Sequence, residues 1–139
     1  MKKIIALYRC AKTGKTSTLN LLIEFLDKNK KVEENHLTED RRVSIFYGNK
    51  KIAITTWGDN GFELKENIKY FEEEDCDILV TATRTRGETT EILNDYAKEI
   101  NTKIVWIEKN ISASLEELIN QTQAKDIQAV IDSLIDDDH

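Results

Sequence analysis

Proline is absent from this sequence of 139 residues, and glycine occurs only five times. Because these two residues are the strongest local breaks in secondary structure, the ends of helices and strands must be predicted from hydrophobic periodicity and capping residues. Long apolar runs are also absent, since nothing approaches the roughly 20 residues of a membrane span. We therefore expect no membrane partner. The apolar run at residues 4–8 is shorter than the roughly 7–15 residues of a signal-peptide core, which argues against a signal peptide.

Cysteine and histidine are scarce, with two of each. Cys10 and Cys76 do not have the spacing of a metal-binding or redox motif, and neither His36 nor His139 has a cysteine or a second histidine nearby. This pattern favours a cytoplasmic protein with reduced thiols. The formal net charge of −6 and the isoelectric point near 5.0 argue against bulk binding of nucleic acid, which requires a basic surface.

The residues that are present predict one soluble domain over residues 1–139, because 40% of them are hydrophobic and 33% are charged. Apolar or alternating runs predict strands at residues 4–8, 43–47, 51–56, 77–82 and 103–107. Helical periodicity predicts helices near residues 15–26, 64–71, 88–100 and 115–135. An interruption of the last helix near Thr122-Gln123 is an alternative, and residues 31–42 are predicted to form a loop.

This order of elements predicts an α/β fold. Gly48-Asn49 separates the second and third strands and is a two-residue hairpin signal, so these strands should be antiparallel neighbours. Helices join most of the other strands, which indicates parallel pairing. We therefore predict a three-layer sandwich with a mainly parallel five-stranded sheet, helices on both faces and one antiparallel edge strand.

The turn between the first strand and the first helix carries a phosphate-binding pattern. The pattern GxxxxGK[ST] here is RCAKTGKT, residues 9–16. In this pattern backbone N–H groups converge on phosphate oxygens at a helix N-terminus, Lys neutralises charge and the hydroxyl ligates Mg²⁺. Arg9 replaces the first glycine, but Gly14, Lys15 and Thr16 are present. We predict an altered phosphate loop; a solvated strand-to-helix turn is the alternative.

In these features the chain resembles the P-loop NTPases, and particularly the small kinase and GTPase branch of that superfamily. The resemblance covers the order of elements from Met1 to about Ile107 and the segment TGKTSTLNLL. It implies a P-loop fold that binds a nucleoside triphosphate with Mg²⁺. The residues implied for the phosphate site are Lys12, Thr13, Gly14, Lys15, Thr16 and Ser17, and Thr16 is also an implied Mg²⁺ ligand.

The resemblance also implies that the strand carrying a second metal-site acid lies beside the P-loop strand. The matching strand covers residues 52–56, and the implied strand order is second, third, first, fourth, fifth. Thr55 stands where the family commonly has Asp, and Gly58 matches the glycine of the GTPase signature DxxG. The resemblance therefore implies Asp59 as the metal-site acid. The alternative is that Asp59 caps the following helix.

Two further features of GTPases concern the choice of nucleotide and a switch loop. The guanine-reading signature NKxD should lie near residues 107–111, where only Lys109 fits, so ATP is the expected ligand. Thr38, followed by Glu39 and Asp40, lies in the loop where GTPases keep a switch threonine. A solvated polar loop is the alternative interpretation of these three residues.

Two arginines, Arg84 and Arg86, follow the fourth strand in the segment VTATRTRGETTEIL. Ligands of open α/β sheets bind at the carboxyl ends of strands, where arginine can contact a phosphoryl group. Pairing with Glu88 or Glu91, or exposure to solvent, is the alternative.

The predicted function is binding of a nucleoside triphosphate, with slow Mg²⁺-dependent hydrolysis or phosphoryl transfer. The predicted catalytic residues are Lys15, Arg84, Arg86 and Asp59, and the implied metal ligands are Thr16 and Asp59. Water and a small molecule remain alternative acceptors. A hypothesis from a different class is a non-catalytic module whose nucleotide state is read by a partner protein at residues 31–42.

Overall fold

The computed structural model describes residues 1–28 and 37–137 of the protein. Within these residues the strands are β1 (Lys3–Tyr8), β2 (Arg42–Tyr47), β3 (Lys50–Thr55), β4 (Ile78–Thr83) and β5 (Ile104–Glu108). The helices are α1 (Lys15–Leu26), α2 (Gly61–Glu73), α3 (Glu88–Glu99) and α4 (Glu116–Asp137). The type and order of the predicted elements are confirmed, and α4 continues through Thr122 without interruption.

Some predictions fall outside these ranges. The predicted loop at residues 31–42 lies partly outside the described residues, and both histidines lie outside them. No helix in the described ranges combines the length and the hydrophobicity of a membrane span.

The strands form one mixed sheet in the order β2-β3-β4-β1-β5. As predicted, β2 is antiparallel to β3 at one edge and the other pairs are parallel. The predicted strand order is wrong, because β4 lies between β3 and β1. All six residues of β4 are buried, whereas β5 is partly exposed. A strand buried on both faces suits an interior position in the sheet, and the more exposed β5 takes the edge.

Helices cover both faces of the sheet. Successive residues of β1 point to opposite faces, so Ile5 packs with one apolar cluster and Ile4 with the other. The first cluster includes Leu19 of α1 and Ile127 of α4, and the second includes residues of α2 and α3 such as Leu64. The apolar spacing read from the sequence therefore buries each helix against its own side of the sheet.

The carboxyl edge of the sheet brings five chain segments together. The strands β1, β3, β4 and β5 are parallel, so the loops that follow them lie at the same edge. The antiparallel strand β2 runs the other way, with Arg42 paired to Thr55, so the residues that precede β2 reach this edge as well. The β2–β3 turn, Gly48-Asn49, lies at the opposite edge and has positive φ at both residues, as a two-residue hairpin requires.

Candidate functional site

The β1–α1 loop, residues 9–14, turns with positive backbone angles at two residues. Gly14 has φ 90° and ψ 11°, the left-handed region, and Lys12 has φ 61°. Arg9 is not among the described residues with a positive φ, so the loop does not need the missing glycine at that position. The space at Gly14 is also tight, because a Cβ atom on it would lie 3.0 Å from Asn120 Oδ1 and 3.3 Å from Lys109 Cε.

Lys15 begins α1, and its ammonium group is buried between the loop and the end of β4. The residue is 5% exposed. Its Nζ donates hydrogen bonds to the carbonyl oxygens of Arg9 at 2.7 Å and Thr83 at 2.8 Å, and lies 3.4 Å from Asp59 Oδ1. Burial lowers the pKa of Lys15, and the Asp59 carboxylate opposes this shift. A largely desolvated cation therefore lies at the amino end of a helix, where backbone N–H groups also favour an anion.

A cavity of about 340 Å³, here called the loop cavity, lies against this helix end. All six residues predicted to bind phosphate, residues 12–17, line it. Its other lining residues are Thr38, Thr56, Asp59 and Glu116. A larger depression of about 510 Å³ beside Trp106 has no charged side chain in its lining, so its chemistry does not suit an anionic ligand.

A second cavity of about 250 Å³ adjoins the loop cavity. The two share Lys12, Thr13 and Glu116, and the second is otherwise lined by the β5–α4 loop and the first turns of α4. The two cavities therefore lie side by side at the carboxyl ends of β1 and β5.

The hydroxyl groups of Thr16 and Thr56 meet at one carboxylate. Thr16 Oγ1 donates to Asp40 Oδ1 at 3.1 Å, and Thr56 Oγ1 donates to the same oxygen at 2.9 Å. Sequence reasoning placed Asp40 only in a polar loop, because Asp40 is 24 residues from Thr16 and belongs to no motif. Its position two residues before an antiparallel strand was the available signal.

Asp59 does not cap α2. The cap is Asn60, whose side chain accepts a hydrogen bond from the Glu63 N–H at 2.9 Å, while Glu63 Oε1 accepts one from the Asp59 N–H at 3.0 Å. This reciprocal arrangement resembles a capping box and frees the Asp59 carboxylate for other contacts. That carboxylate lies 3.4 Å from Lys15 Nζ and 4.0 Å from Arg84 Nε.

The two predicted arginines differ in position. The side chain of Arg84 is 46% exposed and lies with Asp59 and Lys15 at the end of β4. Arg86 is exposed to solvent. Among the described residues, no ion pair joins either arginine to Glu88 or Glu91, and the acid near Arg84 is instead Asp59.

The start of α4 supports the loop from the β5 side, which the sequence did not indicate. Thr18 Oγ1 donates to Asn120 Oδ1 at 3.2 Å, and Asn120 is 6% exposed. Lys109 is 1% exposed, donates through Nζ to the Asn110 carbonyl oxygen, and has its pKa lowered mainly by burial. The only signal in the sequence was that Asn120 and Gln123 are polar residues at helical spacing with the apolar face of α4.

The described residues contain no group of three or more His, Cys, Asp or Glu side chains that could hold a metal ion. Mg²⁺ does not require such a group, because it keeps several waters and binds through one or two carboxylates and substrate phosphates. The hydroxyl of Thr16 beside a carboxylate is compatible with this chemistry. No protein family, curated protein or solved structure matches the chain, so no relative assigns a role to these residues.

Proposed function

We propose that this protein binds a nucleoside triphosphate together with Mg²⁺ in the loop cavity. The supporting observation is that Lys15, whose side chain is buried at the amino end of α1, lines a cavity together with the other residues of the range 12–17. The helix dipole and the free N–H groups of the first turn add further attraction for an anion.

A phosphate oxygen would be a stronger acceptor for Lys15 than the two backbone carbonyl oxygens that now accept its hydrogen bonds. Two of the acceptors of its Nζ are neutral carbonyl oxygens, those of Arg9 and Thr83. A hydrogen bond between ammonium and a phosphate oxygen is charge-assisted and roughly twice as strong as a neutral one. Triphosphate binding would therefore add to the partial compensation that the Asp59 carboxylate gives this buried lysine in the free protein.

ATP is the proposed nucleotide. The adjoining cavity of about 250 Å³ provides space for a nucleoside next to the phosphates. The carboxylate that reads guanine in the NKxD signature has no counterpart here, since residue 111 is Ile and is 56% exposed. Lys109 is turned to the Asn110 carbonyl oxygen.

The proposed reaction is slow hydrolysis or transfer of the γ-phosphoryl group. Bound Mg²⁺ would supply neutralisation of charge on the β- and γ-phosphate oxygens, with Thr16 as one of its ligands. Lys15 would bind the same oxygens. Arg84 would stabilise the charge that develops on the transferred group, and Asp59 would hold Arg84 and Lys15 at the correct spacing.

A non-catalytic interaction module is the second candidate function. Three exposed apolar side chains favour it: Ile111, Leu115 and Leu118, which are 56%, 54% and 51% exposed at the start of α4. Ile111 also lines the second cavity, so a partner that covers this surface would be sensitive to the bound nucleotide.

Calorimetric titration with ATP, GTP and adenosine tests the proposal. Lys15→Met retains most of the buried volume but removes the charge, and Lys98→Met on the exposed face of α3 is the matched control. We expect Lys15→Met to weaken ATP binding at least about tenfold and to leave adenosine binding unchanged. The reason is that, among the parts of the nucleotide, the ammonium group would contact only the phosphates.

Equal ATP affinity of the Lys15→Met variant and the wild type would overturn the phosphate-site assignment. A preference for GTP of about a hundredfold would overturn the assignment of ATP. Sustained phosphate release distinguishes the enzyme from the module, since the module binds ATP without turnover.

A further inference from the structure

We propose that Asp40 supplies the carboxylate of the Mg²⁺ site, in place of the acid that β3 lacks. This inference rests on the proposed binding of a nucleoside triphosphate. It concerns which residue of this chain faces the metal, and it replaces Asp59, the acid that the sequence suggested.

The end of β3 cannot supply the acid itself. Thr55, at the position where the resemblance led us to expect Asp, is fully buried and donates from Oγ1 to the carbonyl oxygen of Val80 at 3.4 Å. Its side chain is therefore directed to the neighbouring strand β4. The next residue, Thr56, is the one whose hydroxyl reaches the loop cavity.

Asp40 brings a carboxylate to that position. One of its oxygens lies 3.1 Å from Thr16 Oγ1 and 2.9 Å from Thr56 Oγ1. Mg²⁺ binds through one or two carboxylates and keeps several waters, so one carboxylate beside the hydroxyl of Thr16 would be enough to hold it. Thr16 and Asp40 are the two residues that would hold the ion.

The backbone around Asp40 is held on both sides. On one side, the Arg41 N–H donates to Thr56 Oγ1 at 2.8 Å, and the Thr56 N–H donates to the Arg41 carbonyl oxygen at 3.0 Å. On the other side, Asn20 Nδ2 donates to the carbonyl oxygens of Leu37 at 2.7 Å and Glu39 at 2.9 Å.

Asn20 is fully buried and lies one turn after Thr16 on α1. A buried amide group that donates both of its hydrogen bonds to one loop fixes that loop relative to the helix. The helix that carries Thr16 therefore also positions the segment that carries Asp40.

The charge balance favours Asp40 over Asp59 as the partner of a cation. Asp59 already lies within 4.0 Å of two cationic groups, Lys15 Nζ and Arg84 Nε. Within residues 1–28 and 37–137, Asp40 accepts hydrogen bonds from two hydroxyl groups and forms no ion pair with Lys or Arg. Among these residues Asp40 therefore has fewer cationic partners than Asp59, which favours Asp40 as the carboxylate that a divalent cation beside Thr16 would contact.

The test compares Asp40→Asn with Asp59→Asn, which remove the same charge from two carboxylates of the same site. ATP affinity is measured by calorimetry in excess Mg²⁺ and again in EDTA. The amide oxygen of Asp40→Asn can still accept from Thr16 and Thr56, so thermal unfolding should stay near that of the wild type. The Mg²⁺ gain is the ratio of ATP affinity in excess Mg²⁺ to ATP affinity in EDTA. We expect this ratio to be at least about tenfold smaller in Asp40→Asn than in the wild type, with the affinity in EDTA unchanged. In Asp59→Asn the ratio should equal that of the wild type.

A metal-preference variant gives a second readout. In Asp40→Cys a soft thiolate replaces the hard carboxylate, so ATP binding should become more responsive to Cd²⁺ than to Mg²⁺. Wild-type protein, which retains Cys10, is the control for cadmium binding elsewhere. This variant decides the question if Asp40→Asn does not fold, and an unchanged metal preference would count against a metal role.

The outcomes separate this inference from the proposed function. Absence of ATP binding by the wild type overturns both. ATP binding by the wild type without any gain from Mg²⁺, or a full Mg²⁺ gain in Asp40→Asn, overturns the role of Asp40 and leaves nucleotide binding in place. If only Asp59→Asn loses the Mg²⁺ gain, Asp59 and not Asp40 is the carboxylate ligand of Mg²⁺.

Discussion

Gly58 lies where the β3–α2 loop crosses the end of β4, and an alanine there should disrupt both stability and the site. A Cβ atom on Gly58 would lie 2.0 Å from the carbonyl oxygen of Ala82 and 2.4 Å from its carbonyl carbon. Both atoms belong to the backbone of a buried strand, so neither can rotate away. The loop must instead retreat by about 1.4 Å to restore an ordinary contact distance of 3.4 Å.

The size of the effect follows from this obstruction. Overpacking in a well-packed core costs about 1–3 kcal/mol, and more where only the backbone can move. We expect Gly58→Ala to lower the free energy of unfolding by about 3 kcal/mol, a large fraction of the roughly 5–15 kcal/mol of a small domain. The residue after Gly58 is Asp59, so the same displacement should also weaken ATP binding.

Gly61→Ala is a matched control three residues away. A Cβ atom on Gly61 would lie 2.3 Å from the carboxyl group of Glu88, but this is the end of an exposed side chain that can turn into solvent. Gly61 is also the first residue of α2, where alanine is a better helix former. We expect a change within about 0.5 kcal/mol.

Equilibrium urea unfolding, followed by tryptophan fluorescence, measures both variants. Ala82→Gly should not rescue Gly58→Ala, because the two closest atoms are backbone atoms that glycine retains. Wild-type stability of Gly58→Ala, equal destabilisation by Gly61→Ala, or restored stability in the double variant with Ala82→Gly would each refute a backbone clash at Gly58.

Two further predictions concern the arginines and the buried thiol. Arg84→Ala should lower phosphate release about tenfold to a thousandfold with ATP affinity nearly intact, since a group that acts on the transition state contributes little to ground-state binding. Arg86→Ala should have the smaller effect, and equal turnover in both variants and the wild type, with folding verified by thermal unfolding, would contradict a catalytic role. Burial raises the pKa of Cys76 from 9.0 to about 11, so between these pH values the unfolded chain releases the thiol proton first and the free energy of unfolding falls. Relative to Cys76→Ala, the wild type should lose about 3 kcal/mol of stability over this window in urea titrations, and a difference that does not change with pH would contradict the buried environment.

Several features could be predicted from the sequence because they depend on neighbours along the chain. The change of apolar period at Lys15 marked the start of α1, and Gly48-Asn49 marked the hairpin. The position of Gly14 and Lys15 between a strand and a helix followed from the same local signals. These features are local because burial on one face imposes period 2 on a strand and period 3.6 on a helix.

The strand order and the partners of the site residues were decided only by the tertiary structure. Strand order depends on pairing between distant segments, and the placement of β4 beside β1 reflects the complete burial of β4 in the folded sheet. Asp40 reaches Thr16 only because β2 is antiparallel, which returns the chain to the carboxyl edge. Asp59 meets Lys15 and Arg84 because β3, β1 and β4 are parallel, which brings the segments that follow these strands to the same edge of the sheet.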